Sequence, residues 1–254
     1  MSDISGFVAG TLVHTDQGLV PIEEIKVGDM VLSKPESKEG DLAYQPVAQT
    51  FVSDDKEIWG LFYWSYNVET GFPDANDTRV IFVTGGHPIW VQEYESSNES
   101  DVVKVNNWMR PDEIFELGAL AIGKVLLDGV VIQMYAKPIL ITSFADIGYM
   151  LSEWDHDPEF IVEFEANKVT AYDVQHIFLG TNPDPDSVYS DTNRILTGYE
   201  DLGVVKKFIT CLENSTLGGF YDRYKARVYN FTVDNYHTYF IEERGLWVKS
   251  SDCY

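Results

Sequence analysis

FVAGTLV, residues 7–13, opens the stretch of sequence that decides the fold most strongly. Two further short apolar runs follow at residues 19–22 and 30–32, and the turns DQG (16–18) and VGD (27–29) separate the three runs. Short apolar runs divided by Gly and Asp turns are typical of strands joined by tight turns. The first forty residues therefore predict a succession of short β-strands.

The middle of the chain continues in the same manner. Polar, turn-rich segments at 67–78 and 93–101 show no apolar period, so we predict exposed loops there. Strand-like segments lie between and around them, at 44–51, 58–63, 79–83 and 88–91. The fold class that follows is mostly β.

Residues 20–32 have an echo later in the chain, at residues 109–129. Each segment contains a Pro, then an acidic residue pair suited to the first turn of a short helix, then a Gly and an apolar run. A repeated supersecondary unit is the simplest source of such an echo. We therefore predict two β-subdomains related by a pseudo-twofold axis, with a chance match as the alternative.

An inserted α+β segment is predicted at residues 142–225. Apolar residues at helix-like spacing favour a short helix over 144–154, residues 160–169 alternate like a strand, and 181–191 are rich in Asn, Pro, Asp and Ser. The chain would then consist of a first part at 1–141, the insertion at 142–225 and a final part at 226–254.

Charge and composition exclude several classes of protein. With 41 acidic against 18 basic residues the formal net charge is -23, which would repel a phosphate backbone, so we expect no nucleic-acid partner. No apolar run is long enough for a membrane span, and the first ten residues lack the basic start of a signal peptide. We expect no membrane partner and a monomer, and four Asn-x-Ser/Thr triplets are attributed to chance, at Asn76, Asn98, Asn214 and Asn230.

Three sequence blocks in one order carry a family resemblance. They are FVAGTLV at 7–13 with its following turns, TGGHPIWV at 84–91, and VYNFTV at 228–233 continued by HTYF (237–240) and GLWV (245–248). Together they resemble the Hint superfamily of hedgehog, intein and bacterial polymorphic-toxin autoprocessing domains, and the last block is most similar to the toxin-associated members. The resemblance implies the horseshoe-like fold of that family and a reaction of self-cleavage or protein splicing.

In that reaction the first residue of the domain attacks the preceding carbonyl, which converts an amide into a thioester or ester. A Thr-x-x-His block orients the amide and protonates its nitrogen. The resemblance assigns these roles to Thr84 and His87, and it assigns His237 to assistance of the C-terminal step. The alternatives are a buried structural histidine at 87 and an exposed turn histidine at 237.

The sequence departs from the family at both reacting ends. The nucleophile position falls on Gly6, which has no side chain, and use of Ser5 instead would require a one-residue bulge. The terminal His-Asn pair is replaced by Lys249 and Ser250, and serine cannot form a succinimide; Ser251 then stands at the acceptor position. We expect the chain to be inactive in the family reaction as it stands.

Other polar groups receive no role in this interpretation. His14, His156 and His176 are expected to be structural or exposed, and the acidic pairs Asp54-Asp55 and Asp155/Asp157 lack the spacing of a calcium loop. Cys211 and Cys253 are too few for a disulfide framework or a zinc site. We predict no cofactor and no metal.

Two functions from different classes remain. The first is an autoprocessing domain that acts in cis on flanking polypeptide, an extein or a toxin in a parent protein that could be secreted, with its nucleophile lost. The second is a catalytically dead Hint scaffold that serves as a protein-binding or spacer module, since a fold does not determine a function. A remnant homing-endonuclease region in the insertion is the weakest alternative, because the insertion has no basic stripe.

Overall fold

A computed structural model describes residues 5–67, 72–73, 79–96, 102–124, 127, 130–151, 158–165, 168–173, 195–196, 203–219 and 222–250. Within them the chain is mostly β, and the large antiparallel sheets confirm the predicted fold class. In this part of the chain no helix has both the length and the apolar character needed to cross a membrane.

The elements have the following bounds in chain order: β1 Leu12–Thr15, β2 Gly18–Pro21, a 3-10 helix Ile22–Glu24, β3 Met30–Ser33, β4 Ala43–Asn67, β5 Phe72–Pro73, β6 Arg79–Thr84, β7 Ile89–Ser96, β8 Val102–Met109, α1 Pro111–Glu116, β9 Ala119–Lys124, β10 Val131–Pro138, β11 Leu140–Ile141, β12 Ile147–Leu151, β13 Pro158–Glu165, β14 Lys168–Asp173, β15 Ile195–Leu196, α2 Gly203–Glu213, β16 Lys225–Val233, β17 Thr238–Ile241 and β18 Leu246–Lys249.

The main sheet closes on itself. Its strands follow the order β10-β9-β7-β18-β17-β1-β3-β4-β16, and β10 also pairs with β4, which completes a ring. The ring is filled by a cluster of buried apolar side chains that includes Phe7, Val13, Ile89, Tyr239 and Val248. A closed sheet leaves few free edges and encloses its own core.

One strand links the two halves of this ring. The 25 residues of β4 pair with β3 and β16 near their start and with β6 and β10 near their end. The sequence predicts two separate strands here, because the polar residues 53–57 interrupt the apolar pattern. In the structure β16 pairs along this polar segment, with a register shift between Ala226 and Val228, so the strand continues through it.

The predicted echo is present as local structure. In the first copy β2 leads through the 3-10 helix to β3, and in the second β8 leads through α1 to β9. Both short helices have acidic residues in the first turn. In the first copy Glu23 also accepts a hydrogen bond from the Gly10 N–H at 2.8 Å, which fixes the loop that follows residue 6.

A second sheet, in the order β11-β12-β13-β14-β15, is built from residues 140–196. One face packs on the main body through residues such as Met150 and Val162, and the other packs on α2 through Tyr149 and Phe208. These elements overlap the predicted insertion, whose boundaries at 142 and 225 stay a prediction.

The helix predicted over 144–154 is wrong. Residues 147–151 form β12, and the described helix of this region is α2, which the sequence analysis missed. Residues 147–150 are buried because the second sheet is covered on both faces, and Ile147 and Met150 belong to different clusters. A strand buried on both faces has no alternation, so its apolar residues fell by chance at helical spacing.

Candidate functional site

The Ser5–Gly6 amide lies at the start of the described chain and is held by β6. The Gly6 N–H donates to the Oγ1 atom of Thr84 at 3.0 Å, and the Thr84 N–H donates to the Gly6 carbonyl at 2.9 Å. The next residue, Phe7, forms two backbone hydrogen bonds with Tyr229 of β16, at 3.0 and 2.8 Å. Thr84, which the sequence analysis selected, therefore contacts the nitrogen of this amide.

Asn230 holds the other end of the same amide. Its Nδ2 atom donates to the carbonyl oxygen of Ser5 at 2.8 Å. Its Oδ1 atom accepts from the Phe231 N–H at 2.8 Å and from the Tyr239 hydroxyl at 3.0 Å, which fixes the orientation of the side-chain amide. A donor placed on this carbonyl would stabilise negative charge that develops there on nucleophilic attack.

Asn230 is the residue that sequence reasoning missed. The sequence analysis uses it only in the VYNFTV block and as a glycosylation triplet, but it is buried and its side chain makes three hydrogen bonds. The signal was its place in the VYNFTV strand, since a polar side chain between apolar neighbours in a core strand needs buried partners.

Gly6 has no space for a side chain. A Cβ atom on this residue would lie well inside van der Waals contact with the Tyr229 carbonyl oxygen and 3.0 Å from its carbonyl carbon. Both are backbone atoms, so rotation of a side chain cannot relieve the contact. A nucleophile restored at residue 6 therefore requires the Tyr229 backbone to move.

His87 lies in the interior, in the turn between β6 and β7. Its ring is fully buried and packs edge to face on Phe7, with ring centroids 4.3 Å apart. Burial lowers the pKa of His87 to about 3, and a weaker contact with the Lys249 backbone acts in the opposite direction. The imidazole is therefore neutral near pH 7. Neither of its nitrogens has a hydrogen-bond partner of good geometry among the described residues.

The C-terminal junction reaches the same histidine. The Lys249 N–H donates to the carbonyl of Pro88 at 3.1 Å, and β18 pairs with β7 at Val248 and Ile89. The Lys249 ammonium forms an ion pair with Glu36 and lies 5.7 Å from the centre of the Trp108 ring. His87 thus lies between Phe7, which follows Gly6, and Lys249, which precedes Ser250.

Ser250 is buried and its hydroxyl has no hydrogen-bond partner among the described residues. Its N–H donates to the His237 carbonyl at 2.9 Å. The His237 side chain itself is exposed, on a residue with φ of 57°, so the structure places its backbone rather than its ring at the junction. Ser251 and Cys253 lie outside the described residues.

The remaining candidates are separate from this site. The Nε2 atom of His14 lies 2.6 Å from the Glu242 carbonyl, Asp54 pairs with Arg227, and Cys211 is buried near Ser143. His156, His176, Asp155, Asp157, Asn76 and Asn98 lie outside the described residues, while Asn214 is exposed. Across the described ranges no cluster of His, Cys, Asp or Glu is suited to a metal ion.

A cleft of about 590 Å³ opens beside the Ser5–Gly6 amide. Ser5, Trp59 and Thr84 contribute to its wall, and its rim carries charges of both signs, among them Lys225 and Asp112. The cleft therefore lies at the residue that precedes Gly6.

No family model matches the chain, and no curated protein matches it. Among solved structures it is similar to a bacterial intein-like domain from Clostridium thermocellum, with 19% identity over 98% of this chain and 100% of that chain and a TM-score of 0.42. It is also similar to a DnaB intein from Synechocystis sp. PCC 6803, with 12% identity over 98% and 100% of the two chains and a TM-score of 0.43. These values describe a distant likeness of fold.

Proposed function

We propose that this chain is an intein-like autoprocessing domain of the Hint type that has lost the first step of its reaction. The observation that carries the proposal is that two side chains bind the Ser5–Gly6 peptide bond. Thr84 accepts a hydrogen bond from the Gly6 N–H, and Asn230 donates one to the Ser5 carbonyl. An ordinary β-strand amide is paired with backbone groups, not with two buried side chains from strands far apart in sequence.

Each part of the site has a chemical role in an acyl shift. Asn230 stabilises negative charge on the Ser5 oxygen, Thr84 orients the amide, and neutral His87 is available for proton transfer. The missing part is the nucleophile, because Gly6 offers no atom that attacks the Ser5 carbonyl. Asparagine cyclisation is equally absent at Ser250, so the family reaction does not proceed at either end.

The segments on which such a domain acts are flanking polypeptides joined to it in cis. The cleft beside Ser5 supports this part of the proposal, since it gives an upstream segment a path to solvent.

A second function, a scaffold without catalysis, is favoured by one specific observation. The Tyr229 backbone occupies the space beside Gly6 in which the side chain of a nucleophile would lie.

The experiment compares the natural chain with a Gly6→Cys variant, both carrying a tag before Met1. The proteins are incubated with a thiol at pH 7 and analysed by intact-mass spectrometry. We expect the natural chain to stay whole between Ser5 and Gly6, and the variant to release the tagged segment, slowly because Tyr229 must move. Cleavage of the natural chain at this bond, or a folded variant that never cleaves, would favour the scaffold function instead.

A further inference from the structure

Two buried polar groups at the C-terminal junction lack hydrogen-bond partners among the described residues, and one of them, the Ser250 hydroxyl, has no role in the acyl shift described above. They are the hydroxyl of Ser250 and the imidazole of His87, which are 5% and 0% exposed. Neither the hydroxyl nor either ring nitrogen has a hydrogen-bond partner among the described residues. Burial of a polar atom without a partner is unfavourable, so two such groups near one junction call for a functional explanation.

The backbone brings both groups to one peptide bond. Pro88, directly after His87, accepts from the Lys249 N–H at 3.1 Å, and the His87 ring contacts the Lys249 backbone. The Ser250 N–H is fixed by the His237 carbonyl at 2.9 Å, and the Lys249 ammonium is fixed by Glu36. The Lys249–Ser250 peptide bond therefore has the His87 ring beside its Lys249 side, and its Ser250 side carries the unpartnered hydroxyl.

We propose that the Lys249–Ser250 bond is itself a self-acylation site, at which Ser250 is the nucleophile and His87 transfers the proton. This activity goes beyond the proposed function, because it needs neither a nucleophile at residue 6 nor a terminal asparagine. It would give the domain one remaining processing reaction, directed at the polypeptide that follows Lys249.

The step balances without any added reactant. The Oγ atom of Ser250 forms a bond to the Lys249 carbonyl carbon while its proton passes to His87. The carbon–nitrogen bond then breaks, its electron pair stays on the Ser250 nitrogen, and His87 returns the proton to that nitrogen. The products are an ester between Lys249 and the Ser250 oxygen and a free amine on Ser250. Water or another nucleophile can then cleave the ester after Lys249.

Hydroxylamine tests the proposal, because it cleaves esters at neutral pH and the chain contains no Asn-Gly bond, the peptide bond it otherwise attacks most readily. We expect the folded chain to release residues 1–249 as a hydroxamate, read by intact-mass spectrometry. The same chain in denaturant stays whole, since His87 is then no longer beside the bond. A fragment ending at residue 250 or 252 would place the reaction at Ser251 or Cys253 and overturn the assignment.

Four variants complete the test, each checked for a cooperative unfolding transition. Ser250→Ala abolishes the fragment, whereas the surface change Ser37→Ala leaves it unaltered. Ser250→Cys yields a thioester, so a thiol alone now cleaves after Lys249. His87→Gln slows cleavage by about 10²-fold or more, as expected when proton transfer is lost. Unchanged cleavage in folded Ser250→Ala, or no cleavage in folded wild type and Ser250→Cys, would contradict the proposal.

Discussion

A Cβ atom on Gly6 would press on the backbone of Tyr229, whereas one on Gly86, in the turn between β6 and β7, would meet nothing within 4 Å. Gly6→Ala should therefore lower the free energy of unfolding by about 1–3 kcal/mol through overpacking. Gly86→Ala is the matched control and should change it by less than about 1 kcal/mol. Urea denaturation of both variants measures the two free energies of unfolding. Equal values would show that the backbone near Tyr229 moves aside without a cost in stability.

His87 predicts a dependence of stability on acid. Burial lowers its pKa to about 3 in the folded chain, while the ordinary value is 6.5, so at pH 5 the unfolded chain takes up a proton that the folded chain does not. The contribution of His87 is thus present above pH 6.5 and is lost as the pH falls toward 3. From pH 7 to pH 5 the wild type should lose about 2 kcal/mol more than His87→Gln.

Denaturant unfolding at the two pH values measures this difference, in which the other titrating groups cancel. An equal loss in the wild type and in His87→Gln would mean that the imidazole is accessible to protons in the folded state.

At the residue scale, two motifs of fixed spacing lie together in the structure, while the catalytic roles assigned to them stay predictions. Thr84 and Gly6 do contact each other, as the Thr-x-x-His block and the FVAGT block together predict. Asn230 was missed because its partner is the backbone of Ser5, 225 residues away in sequence. The lack of space for a side chain at Gly6 was missed for the same reason, since the sequence does not show which backbone segments pack against each other.

Among the elements, the turn between β17 and β18 is tied to β1 by Glu242. The Leu12 N–H donates to the Oε1 atom of Glu242 at 3.2 Å, and the Glu242 N–H donates to the Leu12 carbonyl at 2.7 Å. Burial raises the pKa of the Glu242 carboxyl to about 7, although the bond from Leu12 opposes this shift. The folded chain therefore holds a proton here that the unfolded chain releases above about pH 4.5.

Because the pKa of Glu242 is raised in the folded chain, the free energy of unfolding of the wild type falls as the pH rises from about 4.5 to 7. The full loss of stability is present above pH 7. Glu242→Gln removes the buried charge and should raise the free energy of unfolding at pH 8 by about 1–3 kcal/mol. Glu243→Gln, on the neighbouring exposed residue that pairs with Arg79, should change it by less than about 1 kcal/mol. A wild type whose stability does not fall between pH 4.5 and 7 relative to Glu242→Gln would contradict the account.

At the scale of elements, strands with turns between them were predictable and buried strands were not. The turns at 16–18 and 27–29 separate β1, β2 and β3 as expected, because Gly and Asp set the chain direction locally. β12 was mistaken for a helix because packing on both faces removes the period of two on which strand prediction depends.

For the whole molecule, the first and last described segments approach each other without being neighbours in the sheet. The first and last strands, β1 and β18, are separated in the sheet by β17. These two segments meet at His87, whose ring packs on Phe7 and contacts the Lys249 backbone. A ring closed by β4 and β10 makes this possible, and such a closure depends on pairings across the whole chain that no local pattern reveals.

We propose that His87 still transfers the proton at the Ser5–Gly6 bond, although the nucleophile of that bond is missing. The direct measurement is the rate of thiol-induced cleavage before residue 6 in Gly6→Cys, compared with the same variant carrying His87→Ala, both shown to be folded. The account predicts that the added change slows cleavage by about 10²- to 10⁴-fold. Equal rates in the two proteins would contradict it, because the histidine would then have no part in the reaction.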